Sequence, residues 1–290
     1  MRLNIALITN YNIYEKAGAA LTVAEHLVKH NADILIPSNY RDRIDRMHKN
    51  KEYLRFETMQ TVYEAADMVV VLGGDGTIME SARKAADRGT PILGINLGRV
   101  GYLAELEMSE LGLLDTIMEG NYRLDVRAML NAEIVSGTTQ KIKPVGFALN
   151  DAVISNGFVS RIIDLQLSEG GTFINNCRAD GLIISTPTGS TAYSMSAGGP
   201  VADPRISCFC VTPICPHMLS ARPILFPDDA VLEVKHICRR EKVLYLTLDG
   251  KASYELLKND VVRITRSKLT TSIVRVKDRS FYDKLRHKSL

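Results

Sequence analysis

Residues 68–77 read MVVVLGGDGT: five apolar residues, Met68 to Leu72, run without a polar break into Gly73-Gly74-Asp75-Gly76-Thr77. A short unbroken apolar run rich in valine has the make-up of a strand buried on both faces, the environment that a parallel sheet supplies. From Ile78 to Arg88 the spacing becomes helical, and Pro91 to Asn96 forms another apolar strand. Strand, glycine turn, helix and strand make a βαβ unit, so the chain around it belongs to a parallel sheet covered by helices. Upstream, Leu3 to Ile8 and Ala32 to Ile36 read as further strands with a helix, Ala17 to His30, between them. The charge-dense stretch from Arg41 to Arg55 reads as a solvated helix or loop.

Beyond about Arg123 the period changes. Val126 to Val135, Ala148 to Ser155, Ile162 to Ser168, Ser207 to Thr212, Val231 to His236 and Val243 to Leu248 are all strand-like, with few helical windows between them. Strands at such short intervals predict an all-β second domain of sandwich type after the α/β first one. The boundary falls between 122 and 123, and the second domain runs to 270. A last strand, Thr271 to Lys277, and a short amphipathic helix, Phe281 to His287, close the chain.

A chain of 290 residues, 46% hydrophobic and 24% charged, has the balance of a globular protein with a sizeable core. Its net charge of +3 gives no general attraction to nucleic acid or to an anionic membrane, so any anion site must be local. The apolar run of Met1 to Ile8 is too short for a secretory signal, and no later stretch reaches the roughly 18 apolar residues of a membrane span, which predicts a cytoplasmic protein. Five cysteines, an odd number, predict reduced thiols. Cys208, Cys210, Cys215 and His217 can be written as a zinc set. Yet Ile206, Phe209, Val211 and Ile214 around them make a core strand in which cysteine is a small apolar filler.

The glycine turn carries the chemistry. It lies where a strand ends and a helix begins, the edge at which open α/β sheets bind ligands. Glycines let backbone N–H groups approach phosphate oxygens, and the helix adds its positive end. Neither a Walker A loop nor the full dinucleotide fingerprint is present. A carboxylate in an anion loop repels phosphate unless it holds a metal ion or takes a proton, and both belong to phosphoryl transfer. The same Gly-Asp-Gly also suits a plain turn with Asp75 as helix N-cap. A second glycine-rich exit, Gly94 to Tyr102, follows the next strand and predicts a crevice beside the first.

Downstream, Arg178-Ala-Asp180-Gly leads through an apolar strand into Ser185-Thr-Pro-Thr-Gly-Ser-Thr191-Ala192-Tyr193-Ser194-Met-Ser196. Small side chains let a flat ring lie against backbone, and the hydroxyls can bond to ring or ribose edges, which suits an adenosine. Asn150-Asp151 interrupts an otherwise apolar strand, Val145 to Ile154, so a ligand or a structural network must satisfy the pair.

Taken together these stretches resemble the NAD kinase family. Gly73 to Thr77 is similar to its GGDGT motif, and Gly94 to Leu103 to its GINxGxxGFL stretch with Tyr102 at the usual Phe. Asn150-Asp151 is similar to its Asn-Glu/Asp pair, Asp180 to Ser196 to its DGxxxSTPTGSTAYxxS block, and Pro213 to Pro223 to its PxxPHxLxxRP segment. The long block is the specific part, since lipid kinases and phosphofructokinases share GGDGT. The resemblance implies a phosphofructokinase-like or Rossmann-like α/β domain, a β domain, and a tail, 271–290, that returns to the first. It implies phosphorylation of the 2′-hydroxyl of the adenosine ribose of NAD to give NADP. The donor is ATP or polyphosphate, used with a magnesium or manganese ion, by a dimer or tetramer with NAD held between the domains and across subunits. Asp75 becomes the general base, and Gly73, Gly74, Gly76 and Thr77 face phosphates. Asn150, Asp151, Arg161, Arg178, Asp180, Thr191, Ala192, Tyr193, Ser194 and Ser196 join Asp75 and Gly76 on NAD. At Asp249-Gly250-Lys251 the family commonly has Asp-Gly-Gln, so Lys251 meets a phosphate or faces solvent.

Two rivals share part of this pattern. A lipid kinase would need an acyl slot or an interfacial amphipathic helix, and the sequence offers neither. A noncatalytic NAD sensor would have no use for an acid among phosphate-directed glycines.

Overall fold

The computed structural model describes residues 2–47, 52–98, 101–157, 162–218, 220–238 and 243–289. The chain divides into two compact units, Met1–Arg127 with Leu269–Leu290, and Ala128–Lys268.

In the first unit β1 (Leu3–Ile8), α1 (Tyr14–Val28), β2 (Ala32–Pro37), α2 (Arg41–Met47), β3 (Leu54–Glu57), α3 (Met59–Ala65), β4 (Met68–Leu72), α4 (Asp75–Ala85) and β5 (Ile92–Asn96) alternate as a parallel α/β chain requires. Strand order is β3-β2-β1-β4-β5, all parallel, with β6 (Leu106–Glu107) beside β5. Every residue of β4 and β5 is buried, as the unbroken apolar runs predict. Two elements depart from the sequence reading. Ile44 of α2 is fully buried and Leu54 opens an edge strand, so the charged stretch 41–55 is not wholly solvated. Helix α4 begins at Asp75 rather than Ile78, because Gly74 in extended conformation already serves as its N-cap. A six-residue helix, α5 (Leu113–Met118), then leads into β7 (Arg123–Val135).

The second unit is mostly β. It contains β8 (Ile142–Ala148), β9 (Asp151–Asn156), β10 (Ile163–Glu169), β11 (Thr172–Ala179), β12 (Gly181–Ser185), the four-residue helix α6 (Tyr193–Ser196), β13 (Cys208–Ile214), β14 (Ile224–Pro227), β15 (Leu232–His236), β16 (Leu244–Leu248), β17 (Ala252–Leu256) and the start of β18 (Val261–Arg275). One sheet runs β14-β13-β12-β9-β16-β17, and β11-β10-β15-β18 make a second face. Alternate residues of both, among them Ile154, Leu182, Val211 and Leu246 against Leu165, Leu232, Val234 and Ile264, meet in one core, the arrangement of a sandwich. Cys208 and Cys210 are buried here as the apolar pattern predicts. Asn150-Asp151 does not interrupt a single strand. β8 ends at Ala148 and β9 starts at Asp151, so the pair marks a break between two strands.

The end of β18 rejoins the first unit, pairing in parallel with β5 through Ile273 and Ile92, and α7 (Phe281–Ser289) follows. Among the described residues no helix is long and apolar enough to cross a membrane.

Candidate functional site

The strand order of the first unit reverses between β1 and β4, the switch point outside which a crevice opens in doubly wound sheets. The Gly73-to-Thr77 turn leaves β4 at that point. Gly73 N–H donates to Ile95 O at 2.9 Å and Thr9 Oγ1 to Leu72 O at 2.8 Å, so the turn is tied to its neighbours on both sides. No side chain caps α4, and Thr77 N–H and Ile78 N–H close its first turn on Gly74 O at 3.0 and 3.2 Å. Asp75 is the first helical residue, not the N-cap. Its carboxylate is held by a distant segment: Tyr102 N–H donates to Oδ2 at 2.9 Å and Leu103 N–H to Oδ1 at 3.0 Å. Gly101 is obligatory for this, since a Cβ there would sit 2.0 Å from Asp75 Oδ1.

The segment that holds Asp75 is itself held. Lys284 Nζ, on α7, donates to Tyr102 O at 3.2 Å and Ala104 O at 2.9 Å, and Arg275 Nη1 donates to Leu103 O at 3.0 Å. Glu105, buried, accepts from the backbone of Val276 and Lys277 and from Arg275 at 3.0, 2.8 and 3.1 Å. Burial, then the Arg275 guanidinium, lowers the Lys284 ammonium from 10.5 to about 7 against the pull of Glu105. Sequence reasoning missed Glu105, Arg275 and Lys284. The one local trace was Glu105 at the end of the apolar Tyr102-Leu-Ala run.

In the second unit the break at Asn150-Asp151 is organised by Asp249. Its carboxylate accepts from Leu149 N–H at 2.9 Å, Asn150 N–H at 2.8 Å and Asp151 N–H at 3.3 Å. Asp249 adopts φ +49, a left-handed turn that aspartate tolerates better than most residues. Asp151 is buried, and burial followed by the Asp249 charge pushes its carboxyl up to about 7. Thr186 closes the other side: Thr186 Oγ1 donates to Leu149 O at 2.6 Å, and Gly189 N–H donates to Thr186 Oγ1 at 3.2 Å. Gly189 comes so near that a Cβ would lie 2.1 Å from Asn150 O, which brings the hydroxyl block against the Asn-Asp break. Within that block Thr191 and Ser194 are buried, Ser194 bonding Thr212 Oγ1 at 3.0 Å, while Tyr193 and Ser196 are exposed and Ala192 half-buried. Lys251 is exposed in the turn after Asp249.

Arg178 and Asp180 are not brought to this cluster. Strand β12 pairs Ser185 with Asp151 and Gly181 with Ser155, so Asp180 lies at the far end, about 16 Å away at the usual rise per residue. There Arg178 O accepts from His217 N–H at 2.9 Å and Asp180 N–H donates to Ile214 O at 2.9 Å. A cavity of about 290 Å³ opens beside Arg178, lined also by Asn176, Leu182, Pro213 and Met218. Arg161 lies outside the described residues, as do Arg99 and Val100 of the second glycine-rich exit.

Comparison with known proteins meets the same two stretches. A family model described as the ATP-NAD kinase N-terminal domain matches residues 5–122, and one described as the ATP-NAD kinase C-terminal domain matches residues 149–276. The NAD kinase of Citrifermentans bemidjiense is 37% identical over 271 residues, 93% of each chain. That of Symbiobacterium thermophilum is 45% identical over 224 residues, 77% of this chain and 78% of its own. Among solved structures, yeast NADH kinase complexed with NADH superposes with a TM-score of 0.90 at 23% identity, over 98% of this chain and 86% of that one. An NAD kinase from Archaeoglobus fulgidus in complex with ATP gives 0.73 at 24%, over 99% and 98%. At such identities these structures speak for the fold; the family models and relatives, matching nearly the whole length, show that this chain belongs to the NAD kinase family.

Proposed function

We infer that this chain is an NAD kinase that moves a phosphoryl group onto NAD to make NADP, and that Asp75 is its general base. The observation that carries the assignment of the base is the clamp on Asp75. Two backbone N–H groups fix its carboxylate at the edge of a glycine turn, beside an uncapped helix start. Each carboxylate oxygen accepts more than one bond, so the orienting amides do not exhaust the group. In this reading Asp75 takes the proton of the 2′-hydroxyl of the adenosine ribose. The freed oxygen bonds to the terminal phosphorus of ATP, or of a polyphosphate, and the bridging P–O bond of the donor breaks.

Gly74 and Gly76 N–H and the Thr77 hydroxyl offer donors to phosphate oxygens, while Gly73, whose own N–H is bonded to Ile95 O, keeps the turn free of side chain. Asp75 and the donor phosphates are oxygen donors of the kind that would hold a magnesium or manganese ion, which would supply neutralisation of charge on those phosphates. Asn150 and Asp151, with Thr191 to Ser196, bind the dinucleotide. A carboxyl group near pKa 7, as at Asp151, is able both to donate and to accept at a ribose or ring edge. In this reading the enzyme works in the cytoplasm, where reduced thiols such as its five cysteines persist.

Arg178 and Asp180, at the opposite end of β12, serve the dinucleotide site of a second copy in a dimer or tetramer. Sedimentation of the full chain with NAD checks this, and full activity from a monomer overturns it. The decisive experiment on the base is NADP formation by Asp75→Asn with ATP and magnesium. We expect a loss of roughly 10²- to 10⁴-fold in kcat, the usual contribution of a general base, with NAD affinity within a few-fold of the parent. A variant that turns over near the parent rate removes Asp75 from the reaction.

A further inference from the structure

Far along the chain from the Asp75 turn, in the first unit, three metal-ligand side chains converge. His26, in the last turn of α1, and His30, one turn further on, project from the same side of the chain, and α5 presents Asp115 to both. His26 Nε2 lies 2.7 Å and His30 Nε2 2.6 Å from the same carboxylate oxygen, Asp115 Oδ1. The rings stand 5.9 Å apart, tilted by 28°. Two imidazoles needing only acceptors could take one carboxylate oxygen each; both aim instead at one point. Among the described residues this is the only group of three or more His, Cys, Asp or Glu side chains brought close enough together to share an ion.

We propose that His26, His30 and Asp115 form a binding site for a transition-metal dication of the zinc type, clamping α1 to α5 and separate from the phosphoryl-transfer site. Two imidazole nitrogens and one carboxylate oxygen are the ligand set of zinc and its neighbours, and a poor one for magnesium or calcium, which prefer oxygen throughout. Metal–ligand bonds of about 2.0–2.1 Å at tetrahedral angles set nitrogen and oxygen about 3.3 Å apart. The observed separations need to open by only about 0.6–0.7 Å, and Asp115, 48% exposed, has room to do so. The partial exposure of both rings, 23% and 28%, leaves space for water to complete the shell. The carbonyl end of α1 adds a favourable field for a cation.

The test uses the full-length protein, stripped with chelator and titrated with cobalt(II) and then zinc(II) in excess magnesium. We expect one cobalt per chain, with visible d–d bands of a nitrogen- and oxygen-ligated ion, displaced by zinc but not by magnesium. His26→Gln and His30→Gln should each weaken binding at least tenfold, and the double variant should abolish it. Asp115→Asn provides a second route should the histidine variants fold poorly, and X-ray absorption of the zinc-loaded parent should show imidazole scattering from two rings. Equal binding by the double variant, a sulfur-to-cobalt charge-transfer band, or no uptake at 100-fold excess would each overturn the site. NADP formation with magnesium should be the same in parent and variants, so loss of this site leaves the kinase assignment standing.

Discussion

Replacing Gly101 with alanine should disable the enzyme while leaving its grip on NAD intact. The objection to a side chain at Gly101 is one of space. The added carbon would stand 2.0 Å from Oδ1, 2.6 Å from Cγ and 2.9 Å from Oδ2 of Asp75. A relaxed carbon–oxygen contact needs about 3.3–3.5 Å, so the carboxylate or the 101–103 segment must shift by more than about 1 Å. The N–H bonds from Tyr102 and Leu103, now 2.9 and 3.0 Å, do not survive that shift, and hydrogen bonds to a charged group are worth about 1.5–3 kcal/mol each. A base misplaced by about 1 Å costs on the order of 10²-fold in rate. The assay is steady-state NADP formation with NAD and ATP varied in turn. We expect kcat to fall at least about 100-fold, with KM for NAD within about threefold. Gly98→Ala, in the same glycine-rich stretch, is the control, because among the described residues nothing lies within 4 Å of its added carbon. A Gly101→Ala enzyme with kcat within threefold of the parent would show that the clamp on Asp75 does not matter for turnover.

Two further predictions concern groups displaced from their ordinary pKa. Lys284→Met removes the bonds to Tyr102 O and Ala104 O, so kcat should fall about tenfold with little change in KM, as expected of a residue that positions the base through its loop. With Lys284 at about 7 in the fold and 10.5 in the open chain, the unfolded state binds the extra proton between those values. Stability from this group therefore rises with pH from about 7 to 10, and Lys284→Met should flatten that rise in thermal melts. Asp151 runs the other way. Its folded value of about 7 against 3.8 means the folded state holds the extra proton, so stability is lost as pH rises from about 4 through 7. Asp151→Asn should remove that slope, and an unchanged slope would mean that some other group titrates there.

The elements around Gly73 were legible in sequence because their cause is local. An apolar run buried on both faces, a turn without side chains and a helical period each leave a mark within a few residues, and β1, β2, β4 and β5 fall where those marks predict. What was not legible depends on distant partners. Nothing near Asp75 says that Tyr102 and Leu103 will turn their N–H groups to it, or that Lys284 will brace them. Leu54 opens strand β3 inside a charged stretch because β2 offers it an edge, not because its neighbours favour a strand. The Asn150-Asp151 pair looked like a polar interruption of one strand because the residues on both sides are apolar. The carboxylate that gathers its N–H groups lies about a hundred residues away.

Asp75 and Asp249 solve the same problem by the same means. Each is a carboxylate fixed by backbone N–H groups from a remote segment, two for Asp75 and three for Asp249. Each arrangement depends on a constrained position: at Asp249 a left-handed φ of +49, and opposite Asp75 the glycine at 101, where no Cβ fits. A non-glycine residue in the left-handed region, as at Asp249, costs about 1 kcal/mol or more and persists only where the surroundings compensate. At Asp249 the compensation has a consequence for its neighbour. Three donors are committed to Asp249, and Asp151 is buried beside it with its own N–H turned to the same carboxylate, where burial and then the Asp249 charge raise its carboxyl to about 7. One aspartate is thereby made a fixed anchor and the other a group that changes state near neutral pH. That division of labour follows from which carboxylate the backbone reaches.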